Sequence, residues 1–326
     1  MRAAMRGALL LASASLAPGA SEAHLLDRYP DRPVRVIVPA PVGSKPDQVA
    51  RPVAERMAEV LRQPFVVDNR PAAQGAPGLA GVARAAADGY TVLVVDLAQI
   101  ARHDATETDA REAARRLVAI AKLAEVPHAL FVHPSLPVTS VRDVVALARA
   151  QPGRITYAGG GRGSFTDAAT EALNTIAGIR LVRAQGIPGA GQVDLLLAGE
   201  AMIGFDPLYA RLGALRHKRL RALAVGTLRR VDAAPSVPTF AEAGLGEFLA
   251  SPWLGLFAPS GTPPEVVAKL DAAATAALES REMRAMLGRV GMQPAGMSRE
   301  RFGYQVRDDI ARFSPAPTKP RGVRMP

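Results

Sequence analysis

Val34-Arg35-Val36-Ile37-Val38 is short, β-branched and bounded by Pro33 and Pro39, and it runs into the loop Pro39-Ala40-Pro41-Val42-Gly43-Ser44-Lys45-Pro46-Asp47. A near-continuous apolar run of that length, closed by prolines, predicts a buried strand. Beyond the loop, Val49, Val53, Met57, Val60 and Leu61 recur on one helical face. Pro52 falls inside that pattern, so the helix is expected to start late or kink. Phe65-Val66-Val67-Asp68 predicts a second strand, residues 78–87 a helix of small residues, and Tyr90-Thr91-Val92-Leu93-Val94-Val95 a third strand. Strand, helix, strand, helix, strand is the order of a parallel sheet with helices on its faces.

The alternation resumes downstream. Ala129-Leu130-Phe131-Val132 reads as a strand, Val141 to Ala150 as a helix, and Ile155-Thr156-Tyr157-Ala158 as a strand. A glycine-rich loop at 159–163 precedes a helix from about residue 166 to 177. Helix 190–198 leads to strand Ala201-Met202-Ile203-Gly204-Phe205, and Arg221 to Val225 makes another. Two α/β units of comparable size therefore follow one another, with no internal sequence repeat between them. Residues 98–114 are polar and aperiodic, which predicts a surface loop or ragged helix.

The first 23 residues read as an export signal. Arg2 and Arg6 form a basic start, Ala8 to Leu16 a short apolar core, and Ser21-Glu22-Ala23 a small-residue cleavage site. No other run approaches about 20 apolar residues, so the mature protein, cleaved near Ala23, is expected to be soluble and periplasmic. Pro315, Pro317, Pro320 and Pro326 predict a disordered tail over 314–326. A hydrophobic content of 48% supports a sizeable core. Cysteine is absent, which excludes a disulfide framework and thiolate metal sites.

Removing Arg2, Arg6 and Glu22 from a formal charge of +10 leaves +9. Such a balance suits nucleic acid, a membrane surface or a small anion. The positive residues read as scattered, apart from Lys319, Arg321 and Arg324 in the tail. No RNP-like or zinc-finger spacing occurs, and aromatics for base stacking are scarce. Nucleic acid is disfavoured, and an anionic small ligand fits the charge at least as well.

Both units place a glycine-containing loop between a strand's carboxyl end and a helix N-terminus. Unpaired backbone N–H groups and the helix dipole favour an anion there. The first is Gly43-Ser44-Lys45-Pro46-Asp47, the second Gly159-Gly160-Gly161-Arg162-Gly163-Ser164, and a third, Pro188-Gly189-Ala190-Gly191, precedes helix 190–198. Glycine also serves such turns merely by allowing φ > 0, so each loop keeps a plain structural reading. Neither main loop is a nucleotide motif. His24, His103, His128, His133 and His217 show no metal-ligand spacing and read as surface or capping residues. No G-x-S-x-G elbow exists, and Asp194 and Asp206 come without a recognisable acid–base partner.

Several landmarks resemble the Bug family, the extracytoplasmic receptors of tripartite tricarboxylate transporters. The resemblance covers roughly residues 29–312. Tyr29-Pro30 through Pro39 is similar to the family's opening strand, and Asp68-Asn69-Arg70-Pro71, Ala87-Asp88-Gly89-Tyr90-Thr91 and His133-Pro134-Ser135-Leu136-Pro137 are similar to its next landmarks. Most specific is Pro235-Ser236-Val237-Pro238-Thr239-Phe240-Ala241-Glu242-Ala243-Gly244-Leu245, followed by Trp253-Leu254-Gly255-Leu256-Phe257-Ala258-Pro259. The resemblance implies a periplasmic-binding-protein fold of the Venus-flytrap type, with two α/β domains joined by a two-crossover hinge. It places domain 1 at 28–126 and 252–313 and domain 2 at 127–251. It also implies a carboxylate ligand, no cofactor, no catalysis, membrane transporter subunits as partners, and a monomeric receptor.

The ligand loops depart from the family pattern. Lys45 stands where a bare backbone is usual, Pro46 removes an N–H donor, and Asp167 takes the place of a histidine. The family's Tyr-Lys-Gly-Gly segment is reduced to Gly186-Ile187-Pro188-Gly189, its Val-Asp pair is Ala201-Met202, and residues 98–114 lack its Tyr-Asp-Pro and Asp-Phe landmarks. The expected ligand-binding residues are Gly43, Ser44, Lys45 and Asp47 from one domain, and Gly161, Arg162, Gly163, Ser164, Asp167, Gly189 and Asp206 from the other. Lys45 and Arg162 would make charge-assisted contacts to a carboxylate, while Asp47 would cap a helix or order its loop. A sensing receptor, a family member that has lost its ligand, and a hydrolase on the same fold are the alternatives.

Overall fold

The computed structural model describes residues 28–101, 112, 115–161, 164–185, 192–246, 248–289 and 291–313. The predicted export signal, the proline-rich tail, most of the polar stretch before Arg115, and Arg162, Gly163 and Gly189 lie outside the described residues.

Strand β1 (Val34–Val38) lies inside a six-stranded sheet, in parallel between β2 (Phe65–Asn69) and β3 (Thr91–Asp96). Val34, Val36 and Val38 face the core covered by helix α1 (Lys45–Leu61), and Ile37 faces the core covered by α2 (Ala76–Ala83). Helix α1 starts at Lys45 and continues through Pro52, so the expected late start does not occur. An interior proline costs about 3 kcal/mol. Val49, Val53 and Met57 are 2% exposed or less. Each contributes about 1.5–3 kcal/mol on burial, which outweighs the break.

After α3 (Leu97–Ala101) comes β4 (Leu117–Glu125), a strand the sequence reading misses. Bulges explain why. Against the strand Trp253–Pro259, Ala124 and Lys122 face the consecutive residues Leu254 and Gly255, while Ala121 and Ala119 face Leu256 and Phe257. Leu123 and Ile120 are the extra residues, and each reverses the in–out alternation that betrays a strand. The bulge at Leu123 also brings Lys122 and Glu125 to the same face, where a regular strand would set them on opposite faces. They form a buried ion pair of 2.6 Å, and Gln293 Nε2 donates to the other carboxylate oxygen at 2.8 Å.

The chain crosses through Val126 and Pro127 into a five-stranded sheet of order β7-β6-β8-β5-β9. Its strands are β5 (His128–Val132), β6 (Thr156–Tyr157), β7 (Val182–Arg183), β8 (Ile203–Pro207) and β9 (Arg221–Val225). The intervening helices are α4 (Val141–Ala150), α5 (Phe165–Ala177), α6 (Gln192–Leu197) and α7 (Leu208–Arg216). Helix α4 opens on a capping box between Ser140 and Asp143.

The chain returns along the first crossover. Val126 N–H donates to Pro252 O at 2.7 Å, Ala250 N–H to Gly226 O at 2.9 Å, and Gly226 N–H to His128 O at 2.8 Å. Strand β10 (Trp253–Pro259) then inserts between β3 and β4, antiparallel to both. Helices α8 (Pro264–Glu279) and α9 (Arg281–Arg289), strand β11 (Gln293–Pro294) and helix α10 (Arg299–Phe313) complete the first unit. Trp253 is fully buried, and its indole N–H donates to Asp309 of α10 at 2.8 Å. The result is the expected mixed α/β architecture, two sheet-centred lobes connected by two hydrogen-bonded crossovers.

Candidate functional site

The first loop follows the carboxyl end of β1. Gly43 turns the chain at φ +80°, Ser44 is the N-cap of α1, Lys45 and Pro46 open the helix, and Asp47 sits at its third position. Asp47 is buried and folds back on the loop. It accepts from Gly43 N–H at 2.8 Å and from Asn69 Nδ2 of β2 at 2.9 Å, and it pairs with Arg51 at 2.9 Å. Burial pushes its carboxyl up, but Arg51, the Gly43 amide and Asn69 together hold it below the usual carboxylate range. Asp47 orders the loop, as its cap-or-order reading anticipated.

Ser44 differs. An N-cap hydroxyl usually accepts from the second or third helical amide. Pro46 removes the first of these donors, and the Ser44 hydroxyl oxygen is buried without a partner. Lys45 is exposed and has no carboxylate partner among the described residues.

The second loop, after β6, is built the same way. Gly161 turns at φ +97°, and Ser164 caps α5 by accepting from Asp167 N–H at 3.2 Å. Asp167, again the third helical residue, pairs through Oδ2 with Arg183 of β7 at 3.2 Å, while its Oδ1 is buried without a hydrogen-bond partner. Burial raises its carboxyl, with Arg183 opposing. The carboxylate is tucked so tightly beneath the loop that a Cβ on Gly159 would stand 1.7 Å from its Oδ1. Only glycine admits this approach.

Both loops bear on His128, the first residue of β5. Its ring lies edge-on to Phe165, the first residue of α5, with centroids 5.0 Å apart. The charge of Lys45, the first residue of α1, also acts on it. Desolvation lowers the imidazole to about 4, and Lys45 acts in the same direction against a hydrogen bond to Val126 O. The ring is therefore neutral at neutral pH, and Nδ1 donates to Val126 O at 3.0 Å because a carbonyl can only accept. Phe165 packs against the cores of both lobes. The α5 N-terminus thus packs on this buried, uncharged ring, and the charge at the α1 N-terminus acts on it through space. This arrangement suits an anion held by amides, hydroxyls and Lys45.

Residues 49–317 match the family model for the tripartite tricarboxylate transporter family receptor. The chain belongs to this family. The receptor is similar to BugT of Bordetella pertussis, 33% identical over 292 residues that cover 88% of this chain and 89% of that protein. Among solved structures it is similar to a TctC solute binding protein from Polaromonas without ligand, at 28% identity, TM-score 0.73 and coverage of 88% and 98%. It is also similar to MatC from Rhodopseudomonas palustris with bound malate, at 29% identity, TM-score 0.54 and coverage of 88% and 99%. Receptors of this family are periplasmic solute-binding proteins. No helix among the described residues is long and apolar enough to cross a membrane.

Two sequence readings of the receptor's site need revision. Asp206, expected among the ligand contacts, is held instead by Arg211, in the first turns of α7, at 2.6 Å. It stands next to the crossover, since Pro207 pairs with His128, and burial raises its carboxyl against the pull of Arg211. His128 was read as a surface or capping residue, yet it is 6% exposed. It heads a strand covered on both faces, and the uninterrupted apolar run Ala129–Val132 behind Pro127 was the signal that placed it.

Proposed function

We propose that the chain captures a small carboxylate-bearing metabolite between its two glycine loops and delivers it to a membrane transporter. The lobes, residues 28–126 with 252–313 and residues 127–251, close about the two crossovers. The observation that carries this reading is that the α5 N-terminus packs on His128 while the charge at the α1 N-terminus acts on it. Asp47, Asp167 and Asp206 are already paired with arginines, so the side-chain groups left for a ligand are donors: the Ser44 hydroxyl and the Lys45 ammonium, beside the first amides of the two helices. Arg162, Gly163, Ser164 and Gly189 are carried into this reading from the sequence as further ligand contacts. Asp47 and Asp167 shape the loops without touching the ligand.

Malate bound to MatC supports the carboxylate class. At equal coverage, the unliganded Polaromonas protein superposes better than the malate-bound one, which fits an open arrangement of the lobes here. In this reading the protein is a monomeric binder that uses no cofactor and carries out no chemical step. It works in the periplasm after cleavage near Ala23.

Thermal unfolding against mono-, di- and tricarboxylates, acidic amino acids and aromatic acids tests the reading. A ligand at about 100 times its dissociation constant stabilises the fold by about 2.7 kcal/mol. One acid class should raise the midpoint selectively, and Lys45→Ala should weaken the effect. A flat response to every acid by the folded protein overturns the proposal.

A further inference from the structure

We infer that the pole of the second lobe farthest from the crossovers docks an acidic segment of a protein partner that carries an apolar side chain. Strand β5 leads away from the crossover at His128 to Val132, and Arg221 pairs with Val132 at that far end. The adjoining turn after α7 reads Arg216-His217-Lys218-Arg219-Leu220-Arg221, which corrects the view of the positive residues as scattered. Arg216, His217, Lys218 and Arg219 are exposed. Arg221 donates to Val138 O, and none of these four arginine and lysine side chains has a carboxylate partner among the described residues. The helix dipole favours a cation or two in the last turn of α7. It does not account for Arg219 and Arg221, which lie past the helix end.

Beside this cluster runs a groove of about 620 Å³. Leu212 and Leu215 of α7, the buried Leu220, and Ala234 and Val237 line it together with Arg216 and Lys218. No acidic residue is among the lining, and Asp232, exposed, is adjacent in sequence to it. An apolar lining that includes cations matches a leucine-like side chain flanked by carboxylates, the usual anatomy of a protein docking patch. The concavity favours an inserted side chain over a flat lipid surface. This surface is separate from the ligand cleft, and neither proposal depends on the other.

Fluorescence anisotropy with the full chain tests the inference. The probes are a short peptide of glutamates bearing two leucines one helical turn apart, an all-glutamate peptide, and phosphatidylglycerol vesicles. The leucine-bearing peptide should bind about tenfold more tightly than the all-glutamate one, and Lys218→Glu with Arg219→Glu should weaken it by about tenfold or more. Leu212→Ala should erase the preference for leucine with the charges intact. Equal binding of both peptides would reduce the patch to simple polyanion attraction. Binding of vesicles without peptide would assign it to a membrane surface, and binding of no probe would remove the surface altogether. Each of these results overturns the inference.

Discussion

Acidification should destabilise this receptor through one residue, and His128→Asn should remove the effect. In the folded chain His128 titrates near 4, against an ordinary value of 6.5. As pH falls through the ordinary value the unfolded chain takes up a proton first, so stability is full at neutral pH and is lost on the way down to the folded value. From about pH 7 to about pH 5 the difference in proton binding amounts to about 2 kcal/mol, out of about 3 kcal/mol for the whole shift. Solvent screening does little to reduce it, because the side chain is 6% exposed. Asparagine can keep a donor toward Val126 O and has no proton to gain. Urea unfolding followed by the fluorescence of Trp253, the sole tryptophan, reads both proteins. The wild type should lose stability across that window while the variant stays nearly level. Parallel pH profiles, or a wild type that gains stability on acidification, would refute the burial argument and the neutral ring at the crossover.

Asp47→Ala should cost about 1–3 kcal/mol, because it strands the Gly43 amide, Asn69 and Arg51 together. It should weaken any carboxylate ligand more than Lys45→Ala does, a comparison that calorimetric titration of the two variants makes directly. Lys122→Met should cost about 3–5 kcal/mol by leaving Glu125 charged in the core, whereas Lys122→Met with Glu125→Gln should recover most of the loss in urea unfolding.

The sheets were legible because their information is apolar and local. Val34–Val38, Phe65–Asp68, Ala129–Val132 and Arg221–Val225 announce themselves by composition, and proline and glycine mark their ends. Strand β4 was hidden because its two bulges break the period-two pattern and because it carries Lys122 and Glu125, which a reader assigns to solvent. The loops were legible as loops, but their shared construction was not. Gly43 precedes Asp47 by four positions and Gly161 precedes Asp167 by six, so the sequences do not align even though both aspartates stand third in their helices and pair with an arginine. Their arginines, Arg51 and Arg183, come from a helix in one case and a strand in the other. No reading along the chain brings them together.

That shared construction explains how the site can change while the fold persists. Sheet order and crossovers are fixed by buried apolar positions and backbone hydrogen bonds, which a substitution in a surface loop leaves alone. In the loops, the aspartate sits at the third helical position, and the first helical position carries a different side chain in each case. Lys45 and Phe165 occupy those first positions, one a cation and one a ring, and both bear on His128. The cleft therefore combines two helix N-termini and an uncompensated ammonium with aspartates that arginines already neutralise. On the proposed reading, an anion entering between the lobes would gain from the helix N-termini and the Lys45 ammonium, where the nearby aspartates already carry arginine partners.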